Sequence, residues 1–595
     1  MKSGNSDRGM GVYVVAAVIS ATKYFPETSL ANLQSSVKHE LGLMLTPVRL
    51  RFQKIGWGQF RISNRKDCCL EPVLDGRHYG PNSTDGSVRR PTLPNSGSHV
   101  GTSFQGLGRL AYLLLLAAFA MLVQGYHPGL EDDAFYLAAI KHNLTPALFP
   151  HDADFFRLQF QATVFDKLIA FPLRWTHVPL EWGILLCQWA VTFLILWGCW
   201  RISRRCFVET HAQWAAVALV AVLLTLPVSG TALSLTDQHL HARALATAGI
   251  LAAIVAAIDR RRILAITLLV AAFSVHAIMA AFGASYCLVL MWRTAERTGQ
   301  QHTTRQQRAE VLAASLLPMG WIFDPSSDAW RQAAATRQFY FVSQWHWYEL
   351  LGMVAPLVLL WWFRALARRQ HSVVLEQVAE RLVYFGMFQL ALALIISLFP
   401  QLERFRPLEP MRFLHLVYLL FVLLAGGLLG RYVLKQNALR WLLLFVPLSC
   451  GMFYAQRQMY PATAHLELPG TASSNAWVEA FRWISENTPA DSQFALDPYY
   501  LELPGEDYHG FRALAERSVL ADAVKDAGMA ARVPRLAPRW RREVEAQSGW
   551  HDFKRPDFLR LKAEFGVDWL VLTEPGVEGL SCPYRNPQVL VCRVE

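Results

Sequence analysis

A chain of 595 residues that is 53% hydrophobic and only 17% charged, with 20 Trp and 34 Phe, falls below the roughly 25% charge usual in soluble domains. Its apolar runs reach the roughly 18 residues that mark a membrane-spanning helix, which excludes an ordinary soluble protein and predicts a polytopic one. The formal net charge is +11, but much of the Arg excess sits in short loops between apolar runs and no nucleic-acid motif accompanies it, so nucleic acid is not an expected partner.

In chain order, residues 1–104 mix Ser, Asn, Gly and Arg without long periodicity. "PNSTDGSVRRPTLPNSGSHVGTS" reads as linker, and "GVYVVAAVISA" is too short to span. This segment is assigned no function and is expected to be disordered or a non-native extension. A transmembrane region over 105–460 follows. Apolar runs lie at 107–124, 178–200, 212–229, 240–258, 262–275, 276–292, 309–323, 345–363, 378–399, 411–430 and 438–456. The expected fold class is therefore an α-helical polytopic membrane protein of about 11 spans.

Charge sets the orientation. With Arg109 on the cytoplasmic side, "RISRRCFVETH", "DRRR", "RTAERTGQQHTTRQQRAE", "RALARRQH" and "RYVLKQNALR" fall on that side as well. The opposite loops are poorer in Lys and Arg and hold most of the Asp, Glu and His. This alternation predicts a cytoplasmic N-terminus and an extracytoplasmic C-terminal domain.

The long first outer loop, 125–177, opens with "EDDAFYLAAIKHN", read as a short helix. "DADFFRLQFQATVFDKLIAF" reads as a second, with Phe156, Phe160, Val164, Leu168 and Phe171 on one face, lying in the membrane interface. From about residue 470 the sequence turns soluble in style. "SSNAWVEAFRWISENTPADS" predicts a Ser-capped helix with a stripe of Trp477, Phe481 and Ile484. "QFALD", the end of "DFLRLKAEFGVDWLVLTE", and "PQVLVCRVE" predict strands, so 470–595 is expected to be a small α/β domain. Cys582 and Cys592 flank a turn and would pair in an oxidising compartment.

Unusual polar residues collect in the outer loops: Glu131, Asp132 and Asp133; Asp237, His239, His241 and Arg243; Arg404, Arg406, Glu409 and Arg412. Carboxylates take a proton from a hydroxyl or hold a divalent cation, and Arg matches phosphate oxygens. That mixture beside lipid suits a sugar carried on a polyprenyl phosphate. Each group also has a plainer reading. The acids favour a helix N-terminus through its macrodipole. The histidines of "DQHLHARA" stand at i, i+2 rather than the helical i, i+4 of a metal pair, and suit phosphate or acceptor binding or interfacial packing. "WHWYEL" is an aromatic belt, and His276 a satisfied buried histidine.

The layout resembles the GT-C superfamily of integral-membrane glycosyltransferases: a first span, an outer loop opening with an acidic pair, amphipathic juxtamembrane helices, many more spans and an extracytoplasmic C-terminal domain. The stretches "WHWYELLG" and "HGFRALAERSVLAD" are more closely similar to those of large bacterial polytopic membrane proteins. The GT-C resemblance implies a catalytic base at Asp133, with Asp132 the rival. Residue chemistry, rather than the resemblance, marks His239, His241, Arg243, Arg404, Arg406, Glu409 and Arg412 as the expected substrate-binding residues. The implied donor is a lipid-linked sugar, and the acceptor a hydroxyl of an envelope glycan, lipid or protein at the outer face of the inner membrane. A divalent cation is neither required nor excluded. The "WWDYG" motif of oligosaccharyltransferases is absent from the sequence, so peptide N-glycosylation is not expected. A transporter or lipid flippase, and a noncatalytic envelope assembly protein, are the alternatives.

Overall fold

The computed structural model describes residues 99–160, 163–296 and 326–595. The expectations for residues 1–98 and for a span at 309–323 lie outside the described residues. Leu110–Glu595 fall within one compact unit; of a second, Phe25–Arg109, the described part is the start of the first helix.

Among the described residues six helices are long and apolar enough to cross a membrane: Leu107–Gln124, Leu180–Cys206, Trp347–Arg369, Val373–Leu398, Pro410–Leu434 and Ala438–Met459. Four further apolar helices are shorter: Thr210–Val222, Ala242–Ile258, Arg262–Val275 and Ala277–Trp292. The chain is thus a mostly helical membrane protein, with six helices of full spanning length among the described residues. The long run 262–292 is two helices because the chain leaves the helix at His276, whose backbone is extended.

Burial ranks the helices. In Pro410–Leu434, 83% of the most apolar stretch is inside the protein, against 11% in Ala438–Met459, whose leucines face outward. The central helix packs so closely on Thr210–Val222 because it carries glycine. A methyl group on Gly426 would stand 2.8 Å from the carbonyl oxygen of Ala215, and small residues are what let membrane helices approach.

The first outer loop departs from expectation. The long amphipathic helix is two pieces, Asp154–Phe160 and Phe165–Thr176. Phe156 is fully buried while Leu168, Phe171 and Trp175 are exposed, so the predicted single face does not exist. The break is tertiary: the Val164 N–H donates to the Ser274 carbonyl at 2.9 Å, outside any helical pattern.

The C-terminal domain is a five-stranded sheet in the order β4-β3-β5-β7-β6, with β3 Gln493–Ala495, β4 Ser518–Val519, β5 Trp569–Thr573, β6 Ser581–Arg585 and β7 Val589–Arg593. A separate small hairpin, β1 Pro227–Val228 and β2 Leu233–Ser234, lies in a loop of the helical region. β4, β3 and β5 run parallel; β7 is antiparallel to both β5 and β6. Trp477, Phe481 and Ile484 cover one face as the sequence stripe requires, but the helix cap is Asn475, not Ser. Its Oδ1 accepts from the Trp477 N–H at 2.9 Å. Phe558 and Leu561 cover the other face, on a helix that Gly566 ends at φ 71°. Cys582 and Cys592 form a disulfide between β6 and β7.

This domain is joined firmly to the helices. Tyr126 bridges to Leu466 and Leu130 to His509. Arg512, wholly inside the protein, pairs with Asp152 of the first outer loop and with Asp526 at 2.9 Å. Burial pushes the Asp526 carboxyl up to about 7 despite that pairing. Glu467 accepts from both His127 at 3.0 Å and His509 at 3.2 Å.

Candidate active site

The acidic stretch is shaped by its backbone. Gly129 has φ 84°, and a Cβ there would stand 2.9 Å from Leu514, so only glycine fits. Glu131 is also left-handed, at φ 56°. The C-terminal domain clamps this turn: the Glu131 N–H donates to the Tyr508 carbonyl, and the Gly510 N–H to the Gly129 carbonyl, both at 2.8 Å.

The turn separates the two aspartates. Asp133 is 1% exposed, and its Oδ2 accepts from the Gly129 N–H at 2.7 Å. Burial raises its pKa above the usual carboxylate value. The Asp132 side chain is 37% exposed. Its Oδ1 accepts from Lys525 Nζ at 3.1 Å, and its Oδ2 stands 3.6 Å from His241 Nε2. Burial among protein atoms would raise the Asp132 pKa, but Lys525 and His241 outweigh it and hold the group well below the usual range. Glu131 shares the same lysine.

His241 caps the helix Ala242–Ile258. Its Nδ1 accepts the Arg243 N–H at 2.8 Å, so in the neutral ring Nδ1 carries the lone pair and Nε2 the hydrogen, facing Asp132. The Tyr136 ring lies 4.4 Å from the His241 ring, and burial together with Asp132 pushes its hydroxyl up to about 12. Arg243 Nη2 donates to both oxygens of Asp237, at 2.5 and 2.6 Å. Burial works against ionising Asp237, but Arg243 prevails and its pKa falls to about 2. His239 is 2% exposed, and neither ring nitrogen has a partner among the described residues.

Asp237, His239 and His241 alternate along an extended loop, and their ligand atoms lie within 4.8 Å of one another. As a cation site the trio is poorly prepared. His241 presents an N–H rather than a lone pair, whereas a metal-bound histidine donates from its other nitrogen. Arg243 already occupies both Asp237 oxygens.

On the opposite side Glu409, at φ 51°, stands between two arginines. It pairs with Arg412 and accepts from Arg532 Nη2 at 3.0 Å. A small cavity beside them, about 10 Å³ or room for one water, is lined by Tyr340, Arg406, Glu409 and Arg412 among others. Arg406 lies over the Phe341 ring and donates to the Ser397 carbonyl at 3.2 Å. Arg404 sits half-buried on the same turn, Pro400–Leu408, and does not line the cavity.

No family model and no curated protein matches this chain.

The chemistry follows from the charges. Lys525 faces two carboxylates, Glu131 and Asp132, leaving that side negative. Glu409 faces two guanidiniums, Arg412 and Arg532, leaving that side positive. Arg243 and Asp237 cancel between them. The two sides are joined by the short helix Asp526–Arg532, which has Lys525 beside Asp132 at one end and Arg532 beside Glu409 at the other. Several arginine N–H groups here have no protein partner among the described residues: Nε and Nη1 of Arg243, and Nε of Arg532, Arg406 and Arg337. They are available to an anion.

Asp132, His241, Arg243, Glu409 and Arg412 thus come together. Asp133 and His239 lie on the buried side of the cluster and Arg404 at its margin. The sequence reading missed Lys525, Arg532 and Tyr136. Lys525 and Arg532 are seven residues apart, two helical turns, at the ends of the helix Asp526–Arg532; that one-face spacing was the available signal.

Proposed function

We propose that this protein is a GT-C-type glycosyltransferase that moves a sugar from a polyprenyl-phosphate carrier to a hydroxyl of an envelope acceptor. The observation that carries the reading is the polarity of the site: an accessible, ionised carboxylate on one side and surplus guanidinium charge on the other. Asp132, rather than Asp133, is the base, because it meets solvent and is charged while Asp133 caps a buried turn. The acceptor hydroxyl gives its proton to Asp132 as its oxygen bonds to the anomeric carbon. The bond from that carbon to the phosphate oxygen breaks, and its electron pair leaves with the phosphate. Arg412 and Arg243 stabilise the charge that develops there.

In this reading the Arg-rich loops face the cytoplasm and the shorter apolar helices complete a set of about eleven spans in the inner membrane. The C-terminal domain then lies outside, in a compartment that favours disulfides. The test is release of polyprenyl phosphate from hexosyl and pentosyl polyprenyl phosphates by purified protein. Turnover that Asp132→Asn removes supports the reading. Absence of turnover and of donor binding across the sugar series sinks it.

A further inference from the structure

The sequence divides into a membrane region and a soluble domain, and a division of labour would leave the chemistry with the first. The charges contradict that division. Glu409 is one carboxylate between two guanidiniums, so one positive charge remains uncompensated at the Arg412–Arg532 pair. Arg412 opens the central membrane helix, whereas Arg532 ends a helix of the C-terminal domain.

We infer that Arg532 is a phosphate-binding residue of the membrane site, so that the C-terminal domain supplies half of the anion clamp. The inference rests on the glycosyltransferase reading and adds a residue and a domain to it. Three features support it. Arg532 Nη2 is fixed by Glu409 at 3.0 Å, which orients the fork of the guanidinium. Its Nε is buried and has no protein partner among the described residues, so one donor of the fork remains for a ligand. Its side chain is 28% exposed against 6% for Arg412, so it is the more reachable of the two guanidiniums. Lys525 of the same domain is not equivalent. It contacts two carboxylates and has no surplus charge for a phosphate.

The test uses full-length protein in detergent and four forms of the chain: wild type, Arg532→Gln, Arg532→Lys and, as a control in the distant Arg205–Asp259 pair, Arg205→Gln. Binding of a polyprenyl monophosphate is measured against the uncharged polyprenol and against inorganic phosphate, with melting temperature as the check on folding. The expected result is a loss of about tenfold or more in polyprenyl phosphate affinity in Arg532→Gln. Arg532→Lys should show a smaller loss, because it keeps the charge but not the fork. Phosphate-lipid affinity in Arg205→Gln, and polyprenol binding in every form, should be unchanged. Inorganic phosphate that binds as tightly as the lipid, and is equally sensitive to Arg532, would keep the anion site but overturn the lipid donor. Wild-type affinity in both Arg532 variants overturns the inference and leaves the glycosyltransferase reading standing. Wild-type protein that binds no phosphate compound overturns both. Should Arg532→Gln fail to fold, Arg532→Lys decides: unchanged affinity in that variant overturns the clamp.

Discussion

The two ends of the helical bundle carry the same residue types in different arrangements. At the Arg-rich end Arg205 pairs with Asp259 and Arg431 with Glu209 at 2.9 Å, one to one, while Glu380 meets Arg364 at 3.1 Å and Arg381 at 3.9 Å. These pairs keep part of their surface in solvent, where salt and hydration reduce their value to about 0–1 kcal/mol. At the other end one lysine meets two acids and one glutamate meets two arginines, in a crowded interior. Matched pairs solvate a helix end. What sets the other end apart is that mismatched sets of both signs stand together, so that surplus charge of each sign is held in one cluster at a cost in stability.

The contrast can be broken most severely at Asp132. Asp132→Asn should reduce sugar transfer by about 10²–10⁴-fold with little change in melting temperature. Asp133→Asn should mainly lower the melting temperature. A folded Asp133→Asn protein without transfer, beside an active Asp132→Asn protein, would reverse the choice between the two acids. Next comes Arg512, buried against Asp152 and Asp526. Arg512→Ala leaves those carboxylates unpaired and should destabilise the protein by about 3–5 kcal/mol in thermal or denaturant unfolding.

A smaller effect is expected at His509, whose two ring nitrogens face the Glu506 carbonyl and Glu467 Oε1. Both are acceptors, so the doubly protonated ring fits. Burial opposes that charge, but Glu467 dominates and the pKa lies above the ordinary 6.5. The stabilisation is therefore complete below 6.5 and is lost as pH rises through the higher folded value. Melting temperatures measured from about pH 5 to about pH 9 should fall at the alkaline end, and His509→Gln should flatten that fall. The same slope in the variant would show that another group is responsible. The smallest effect belongs to the other end. Arg205→Ala should change stability by no more than about 1 kcal/mol, and a larger change would mean that the matched pairs are not merely solvation.

The helical class, the positions of the described apolar helices and three strands of the C-terminal domain, β3, β5 and β7, were legible because apolar runs and alternation are local signals, whereas β4 and β6 were not anticipated. The break before Phe165 was not, because the Val164 amide there is taken by the carbonyl of Ser274. The cap at Asn475 lay two residues from a plausible serine, and local composition cannot rank such neighbours. Asp132 and Asp133 are adjacent and chemically identical. Only the left-handed turn at Glu131 and the Gly129 amide send one to solvent and one inside. Lys525 was invisible as a site residue because its partner Asp132 is 393 positions away.

That separation has a consequence for how the protein is made. Glu131 and Asp132 are synthesised early, and their counter-charge arrives only when the helix Asp526–Arg532 has been made and docked. A ribosome that stops before Lys525 releases a chain with every apolar helix of the described residues and no counter-charge for these acids. In the glycosyltransferase reading, interrupted synthesis therefore yields an inert membrane protein.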